Sequence, residues 1–259
     1  MTAALVTGAG KRLGREMALT LARNGYDVAV HYASSHEAAE EVAALIRAMG
    51  RKAEIVQADL LDEAQTQTLV QRASAALGQP LTCLVNNASI FEHDTIETAT
   101  RDSWDRHMES NLRAPFVLTQ RFAEQAPDPL QDSNSEPVSQ SMVVNMIDQR
   151  VHKLTPEFMT YTIAKMGLWA FTQTAAQALG PKVRVNGIGP GPTLRGGRQS
   201  EQQFSQQRSK TILERGADPN DIAAALLYFL NAKAVTGQIL CVDGGQHLAW
   251  QTPDVMGTE

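Results

Sequence analysis

Short apolar runs alternate along this chain with longer segments whose apolar residues recur every three or four positions, the rhythm of strands followed by amphipathic helices. The runs at 3–6, 27–31, 54–57, 81–86, 142–146, 183–188 and 239–242 predict buried strands. Helical spacing covers 13–23, 36–49, 62–77, 101–124, 158–179, 200–213 and 218–230, the last opened by Asp218 as N-cap and Pro219 at the first helical position. Strands and helices in this alternation make βαβ units, so the expected fold is α/β: a doubly wound parallel sheet with helices on both faces. One domain over residues 1–259 with about seven strands accounts for the pattern, and no internal repeat interrupts it. Residues 126–140 turn to Pro, Asp, Ser, Asn and Gln and predict a surface loop, since periodic structure resumes on both sides.

Composition narrows the class. Of 259 residues, 43% are hydrophobic and 20% charged, which is ordinary for a globular domain. A net charge of −5 argues against nucleic acid or an anionic membrane as the main partner. Cys83 and Cys241 both lie in apolar runs and read as reduced core thiols. No apolar segment approaches a membrane span, and a first strand beginning at Ala3 leaves no room for a signal peptide, so a cytoplasmic protein is expected. None of the six histidines stands at metal-ligand spacing with another ligand, so no metal is expected. Trp104, Trp169 and Trp250 read as packing residues.

Two stretches carry candidate chemistry. Tyr161 and Lys165 fall one turn apart on a predicted helix, where an ammonium would favour the phenolate and lower the phenol's pKa. Asp148, just beyond the strand at 142–146, adds a second titrating group. Near the other end of the chain, Thr7 to Gly14 runs from strand to turn to helix. Glycines there let the backbone approach a phosphate, which the helix N-terminus attracts.

The order of Thr7-Gly8…Gly14, Asn86-Asn87-Ala88, Asn111, Tyr161-x-x-x-Lys165, Pro190-Gly191 and Asp243-Gly244-Gly245 resembles the short-chain dehydrogenase/reductase family along essentially the whole chain. The resemblance implies a Rossmann-type fold and a nicotinamide cofactor, with 192–216 as the substrate loop. Tyr161 would be the general acid/base, Lys165 would lower its pKa and hold the ribose, and Asn111 would help order a relay water. It also implies cofactor contacts from Gly8, Lys11, Leu13, Gly14, Asn87, Ala88, Ser89, Pro190, Gly191 and Thr193. Asp59 would face the adenine and Leu60 supply a backbone contact. The helices at 101–124 and 158–179 would form a dimer face within a homotetramer.

Arg12 stands where the family would place a glycine, and the second strand ends His31-Tyr32-Ala33-Ser34-Ser35 with no acid for a ribose 2′-hydroxyl. Lys11, Arg12, Ser34 and Ser35 suit a 2′-phosphate, so NADP(H) is expected rather than NAD(H). Asp148 replaces the family's usual serine. A carboxylate is a poor partner for a carbonyl oxygen gaining negative charge but a good acceptor for ring or amino N–H groups. Phe91 follows Asn87-Ala88-Ser89-Ile90 and would stack on a flat substrate. Together with Arg12, His31-Tyr32, Ser89 and Thr193, these residues resemble the pteridine reductase branch. The implied activity is NADPH-dependent reduction of a pteridine- or folate-like heterocycle, with Phe91, Asp148, Tyr161 and Arg12 at the substrate. Arg195 and Arg198 are candidate contacts for an anionic tail. An ordinary carbonyl or 3-ketoacyl reductase is the alternative enzyme, and a catalytically silent NADP-binding sensor the alternative outside enzymology.

Overall fold

In the computed structural model, which describes residues 2–197 and 199–250, seven strands form one parallel sheet. Its strands are β1 (Thr2–Val6), β2 (Tyr26–Tyr32), β3 (Ala53–Gln57), β4 (Cys83–Asn86), β7 (Ser141–Met146), β8 (Val183–Pro190) and β9 (Ile239–Val242), in the spatial order β3-β2-β1-β4-β7-β8-β9. The order reverses between β1 and β4, so their carboxyl ends open the crevice where such sheets bind ligands.

Both faces of the sheet are covered because side chains alternate. Ala4 and Val6 of β1 join a core with α1 (Arg12–Arg23), α2 (His36–Ala48) and α8 (Pro219–Asn231), built around Met17, Ile46, Leu226 and Phe229. Ala3 and Leu5 point the other way, into a core with α3 (Glu63–Leu77), α5 (Ala114–Gln125) and α6 (Met159–Leu179), where Leu69, Leu118 and Phe122 are buried. Asp218 caps α8 in a reciprocal box with Asp221, with Pro219 at the helix start, as the sequence predicts. Arg184 donates to carbonyls at the far end of α8, those of Phe229 and Ala232 at 2.9 and 3.0 Å. Both cysteines are free, Cys83 buried and Cys241 partly so.

Three expectations are corrected. Residues 126–140 are not all loop: Leu130–Gln131 (β5) and Pro137–Val138 (β6) pair antiparallel. The helix expected at 101–124 is α4 (Arg101–Met108) and α5 joined by a wide π turn at Glu109–Arg113. The helix expected at 200–213 closes early as α7 (Glu201–Ser209). Of the tryptophans expected to pack, Trp104 and Trp250 are 40% and 62% exposed. Among the described residues no helix is long and apolar enough to cross a membrane, and no group of three or more His, Cys, Asp or Glu could hold a metal ion.

Candidate active site

A cleft of about 490 Å³ opens at the strand-order reversal. The turn after β1 lines one side with Gly8, Lys11, Arg12, Leu13 and Gly14. This turn is held from behind by Thr7 and from the side by the chain after β4. The Thr7 hydroxyl accepts from the Asn87 and Ala88 amides at 2.9 Å each, and the Asn87 amide donates to the Thr7 carbonyl at 2.8 Å. Gly8 has φ +62°, and a Cβ on Gly14 would lie 2.3 Å from the Gly8 carbonyl oxygen, so only glycine fits there. The first turn of α1 has no acid, and Lys11 at its N-cap makes no side-chain capping bond. Its N-terminal field is left for an anion.

Arg12 occupies the left-handed region at φ +54°, the conformation a glycine would adopt without strain. Its guanidinium donates to the carbonyls of Arg195 and Leu194 at 3.0 and 3.1 Å, tying the phosphate turn to the loop expected over the substrate. Arg195 itself bonds the Gln199 carbonyl within that loop; Arg198 lies outside the described residues.

The opposite wall comes from the ends of β4 and β7 and the start of α6. Tyr161 donates from its hydroxyl to Asp148 Oδ2 at 2.8 Å, while Asp148 Oδ1 accepts the Arg150 amide at 2.8 Å. Burial pushes the Asp148 carboxyl up against the opposing pull of the Arg150 amide, Tyr161 and the cations Arg150 and Lys165. Burial and the neighbouring carboxylate push the Tyr161 phenol well above its ordinary value. This corrects the expectation that Lys165 lowers it. The Lys165 ammonium sits 5.6 Å over the Tyr161 ring and donates to the Met146 carbonyl at 2.7 Å, away from the hydroxyl. Burial lowers Lys165 itself to about 8, with Asp148 opposing.

Phe91 forms part of the cleft wall, 47% exposed, with one ring face stacked on Phe158 at 4.2 Å between centroids and an interplanar angle of 8°. Tyr161 meets it edge-on at 4.7 Å. Phe158 sits at φ +57° immediately before α6, an uncommon conformation for a bulky residue.

The structure thus gathers Gly8, Lys11, Arg12, Leu13, Gly14, Asn87, Ala88 and Ser89 around one cleft. Phe91, Asp148, Tyr161, Lys165, Pro190 and Gly191 line it too, together with Met146 and Ile147, which sequence reasoning did not single out. Other expected residues lie off its lining. His31 is buried behind the cleft wall: the Gly8 amide donates to its Nδ1 at 3.0 Å, and its Nε2 faces the Ala58 carbonyl at 3.1 Å. It shapes the glycine turn from behind. Tyr32 packs edge-on against His36, and Leu60 is buried in the core. Asp59 accepts the Leu61 amide at 3.0 Å in its own turn, and the Thr193 hydroxyl donates to the Gly191 carbonyl at 3.2 Å. Ser34 is exposed, and Ser35 makes no side-chain capping bond at the start of α2. Asn111 is buried in the π turn with its amide spent on Ile90, accepting from the N–H at 2.9 Å and donating to the carbonyl at 2.8 Å. The residues that sequence reasoning missed are Asp94, His107, Phe158 and Thr160, which hold the wall in place and carry no motif.

A seven-stranded doubly wound sheet with a tyrosine–lysine helix beside a glycine turn defines a class, and the chain belongs to the short-chain dehydrogenase/reductase family. Residues 8–247 match the family described as enoyl-(acyl carrier protein) reductase. FolM alternative dihydrofolate reductase 1 of Brucella suis, solved in complex with NADP, is 41% identical over 98% of each chain, with a TM-score of 0.90. Its namesake from Brucella canis, also complexed with NADP, is 39% identical and covers 99% of this chain and 98% of that one, with a TM-score of 0.89. The 3-oxoacyl-[acyl-carrier-protein] reductase FabG of Staphylococcus aureus is 30% identical over 250 residues, 95% of this chain and 98% of its own.

Proposed function

We propose that the protein is an NADPH-dependent reductase of a pteridine- or folate-like heterocycle, working in the cytoplasm. The observation that carries this reading is the Tyr161–Asp148 hydrogen bond, 2.8 Å long, in a cleft that also exposes the Phe91 ring. The acid-free first turn of α1, with Lys11 at its N-cap and Arg12 at its first position, fits a dinucleotide diphosphate; Ser34 and Ser35, following a strand that ends without an acid, fit a 2′-phosphate. The FolM relatives crystallised with NADP support the same cofactor. Held by the glycine turn and Lys165, NADPH would supply a hydride for a ring carbon of a C=N bond.

The protein's own residues manage the proton and the ring. Tyr161, kept neutral by burial and by Asp148, holds a proton at Oη for the ring nitrogen. Asp148 accepts N–H groups of the heterocycle and, where protonated, replaces the proton that Tyr161 gives up. Phe91 offers a flat apolar face that favours an aromatic ring over an acyl chain. Lys165 places positive charge under the tyrosine ring and is within the cleft to meet a ribose.

The test is NADPH oxidation with dihydrobiopterin, dihydromonapterin and dihydrofolate against a 3-ketoacyl thioester. The expected result is turnover of at least one dihydropterin or dihydrofolate, and a loss of about a hundredfold in Asp148→Ser, the scale of a transition-state contact. Turnover of the ketoacyl substrate alone, retained in Asp148→Ser, would establish the second reading, which the FabG relative favours.

A further inference from the structure

The Phe91 wall and the Tyr161 helix are separate pieces of chain, yet one buried side chain touches both. His107 of α4 is fully buried. Its Nε2 accepts the backbone N–H of Glu92 at 3.1 Å, next to Phe91. An N–H can only donate, so Nε2 is bare and the proton of the neutral ring is on Nδ1. Nδ1 lies 2.7 Å from the Thr160 hydroxyl, next to Tyr161, and donates to it. The Thr160 hydroxyl in turn donates to Asp94 Oδ2. Burial lowers the His107 pKa, against the carboxylates of Asp94 and Glu92, which agrees with a neutral ring.

Asp94 finishes the linkage. Phe158, the residue before α6, gives the helix no side-chain cap. Asp94 supplies one from elsewhere in the chain: its carbonyl accepts the Phe158 and Met159 amides at 2.8 and 3.3 Å, and Oδ1 accepts the Thr160 amide at 3.2 Å. Ser103 adds a bond to Oδ2 at 3.1 Å. Burial raises the Asp94 carboxyl, but the bonds from the Thr160 hydroxyl and amide and from Ser103 outweigh it and hold it low. An ionised acid at the start of α6 is where the helix field favours one.

We propose that His107 is a specificity-determining positioning residue: by bonding the Glu92 amide and the Thr160 hydroxyl at once, it sets the spacing between Phe91 and Tyr161 and so selects a flat ring as substrate. The inference rests on the reading above that a ring lies against Phe91. It assigns His107 no part in proton transfer, because both its nitrogens are engaged within the protein. Asn111, one turn further along, clamps Ile90 on the other side of Phe91, so the aromatic wall is pinned on both flanks from one helix.

The two bonds can be cut separately, because an asparagine amide reaches the place of Nδ1 and a glutamine amide the place of Nε2. His107→Asn leaves the buried Glu92 amide without its acceptor and loosens Phe91. The ratio of kcat/KM for dihydrobiopterin to that for ethyl acetoacetate is expected to fall about tenfold, through the KM of the ring substrate. His107→Gln keeps Glu92 anchored but releases Thr160; kcat is expected to fall several-fold on both substrates with the ratio held within about twofold. Ratios that move equally in the two variants would overturn the proposal and leave His107 as packing only. The ring substrate is whichever of dihydrobiopterin, dihydromonapterin and dihydrofolate the wild-type protein reduces; if it reduces none, the proposed function fails on that result alone, and the ratio is read with the aromatic ketone 1-tetralone instead. Independently of turnover, nitrogen NMR of the 15N-histidine-labelled protein should find His107 protonated on Nδ1; protonation on Nε2 overturns the linkage.

Discussion

On the β1 side of the cleft the surface offered to a ligand is mostly backbone, whereas on the β7–α6 side it is side chains held by other side chains. The phosphate turn depends on Gly8, on Gly14 pressed against the Gly8 carbonyl, and on Thr7 and Asn87 satisfying main-chain groups. The opposite wall depends on Asp148, Tyr161 and Phe91, placed by Arg150, His107, Thr160 and Asp94. A cradle of backbone groups leaves little to vary, whereas a wall of side chains changes with each substitution, so on the proposed function the first region reports the cofactor and the second the substrate.

Substitutions can separate the two. Tyr161→Phe removes the proposed proton donor and should lower kcat by about two to four orders of magnitude. NADPH affinity, measured by fluorescence titration, should stay within about threefold, because the phosphate turn is untouched; an equal loss of both would erase the distinction. Gly14→Ala is the converse. Its Cβ would sit 2.3 Å from a carbonyl oxygen, so NADPH affinity should drop about a hundredfold, or the thermal midpoint should fall by several degrees.

His31 allows a test of the cradle by pH. Burial lowers its pKa from 6.5 to about 4, so the unfolded chain takes up a proton first as pH falls. Stability should be fully present above pH 6.5 and decline as pH falls toward about 4, by up to roughly 3 kcal/mol. Denaturant unfolding of wild type and His31→Gln across that range should show a shallower slope in the variant, the difference being the share of His31. The smallest effect is expected from Arg12→Gly, which relieves the left-handed strain but cuts the bonds to Leu194 and Arg195. Global stability should change by less than about 1 kcal/mol, while limited proteolysis within 192–216 speeds up several-fold.

How much of this could be read beforehand follows the same division. Every sheet strand is visible as a short, mostly apolar run, because strands covered by helices on both faces have few polar positions. The glycine turn and the Tyr161–Lys165 spacing are equally plain, since backbone geometry and helical period restrict which residues can stand there. Arg12 is legible as a departure from the family pattern, but its carbonyl partners are 182 and 183 residues away and leave no local trace. His31 stands near the end of β2, where the family resemblance places cofactor contacts; alternation puts its ring inside, behind Gly8. The direction of the Tyr161 shift was misread because helical spacing places Lys165 nearby without saying that its ammonium is drawn to the Met146 carbonyl. Asp94 capping α6 from sixty-six residues away has no sequence signature at all.

The π turn at Glu109–Arg113 has a consequence for phase. A turn closed over five residues rather than four holds one residue more than the α-helix on either side of it. Without that extra residue the helix would run on with the same length of hydrogen-bonded backbone, but its amino-terminal half would be rotated by about 100°. His107 would then leave the Glu92 amide while Asn111 kept Ile90. A relative that preserves every motif but has one residue fewer between Thr100 and Pro115 should therefore share this protein's cofactor and not its substrate.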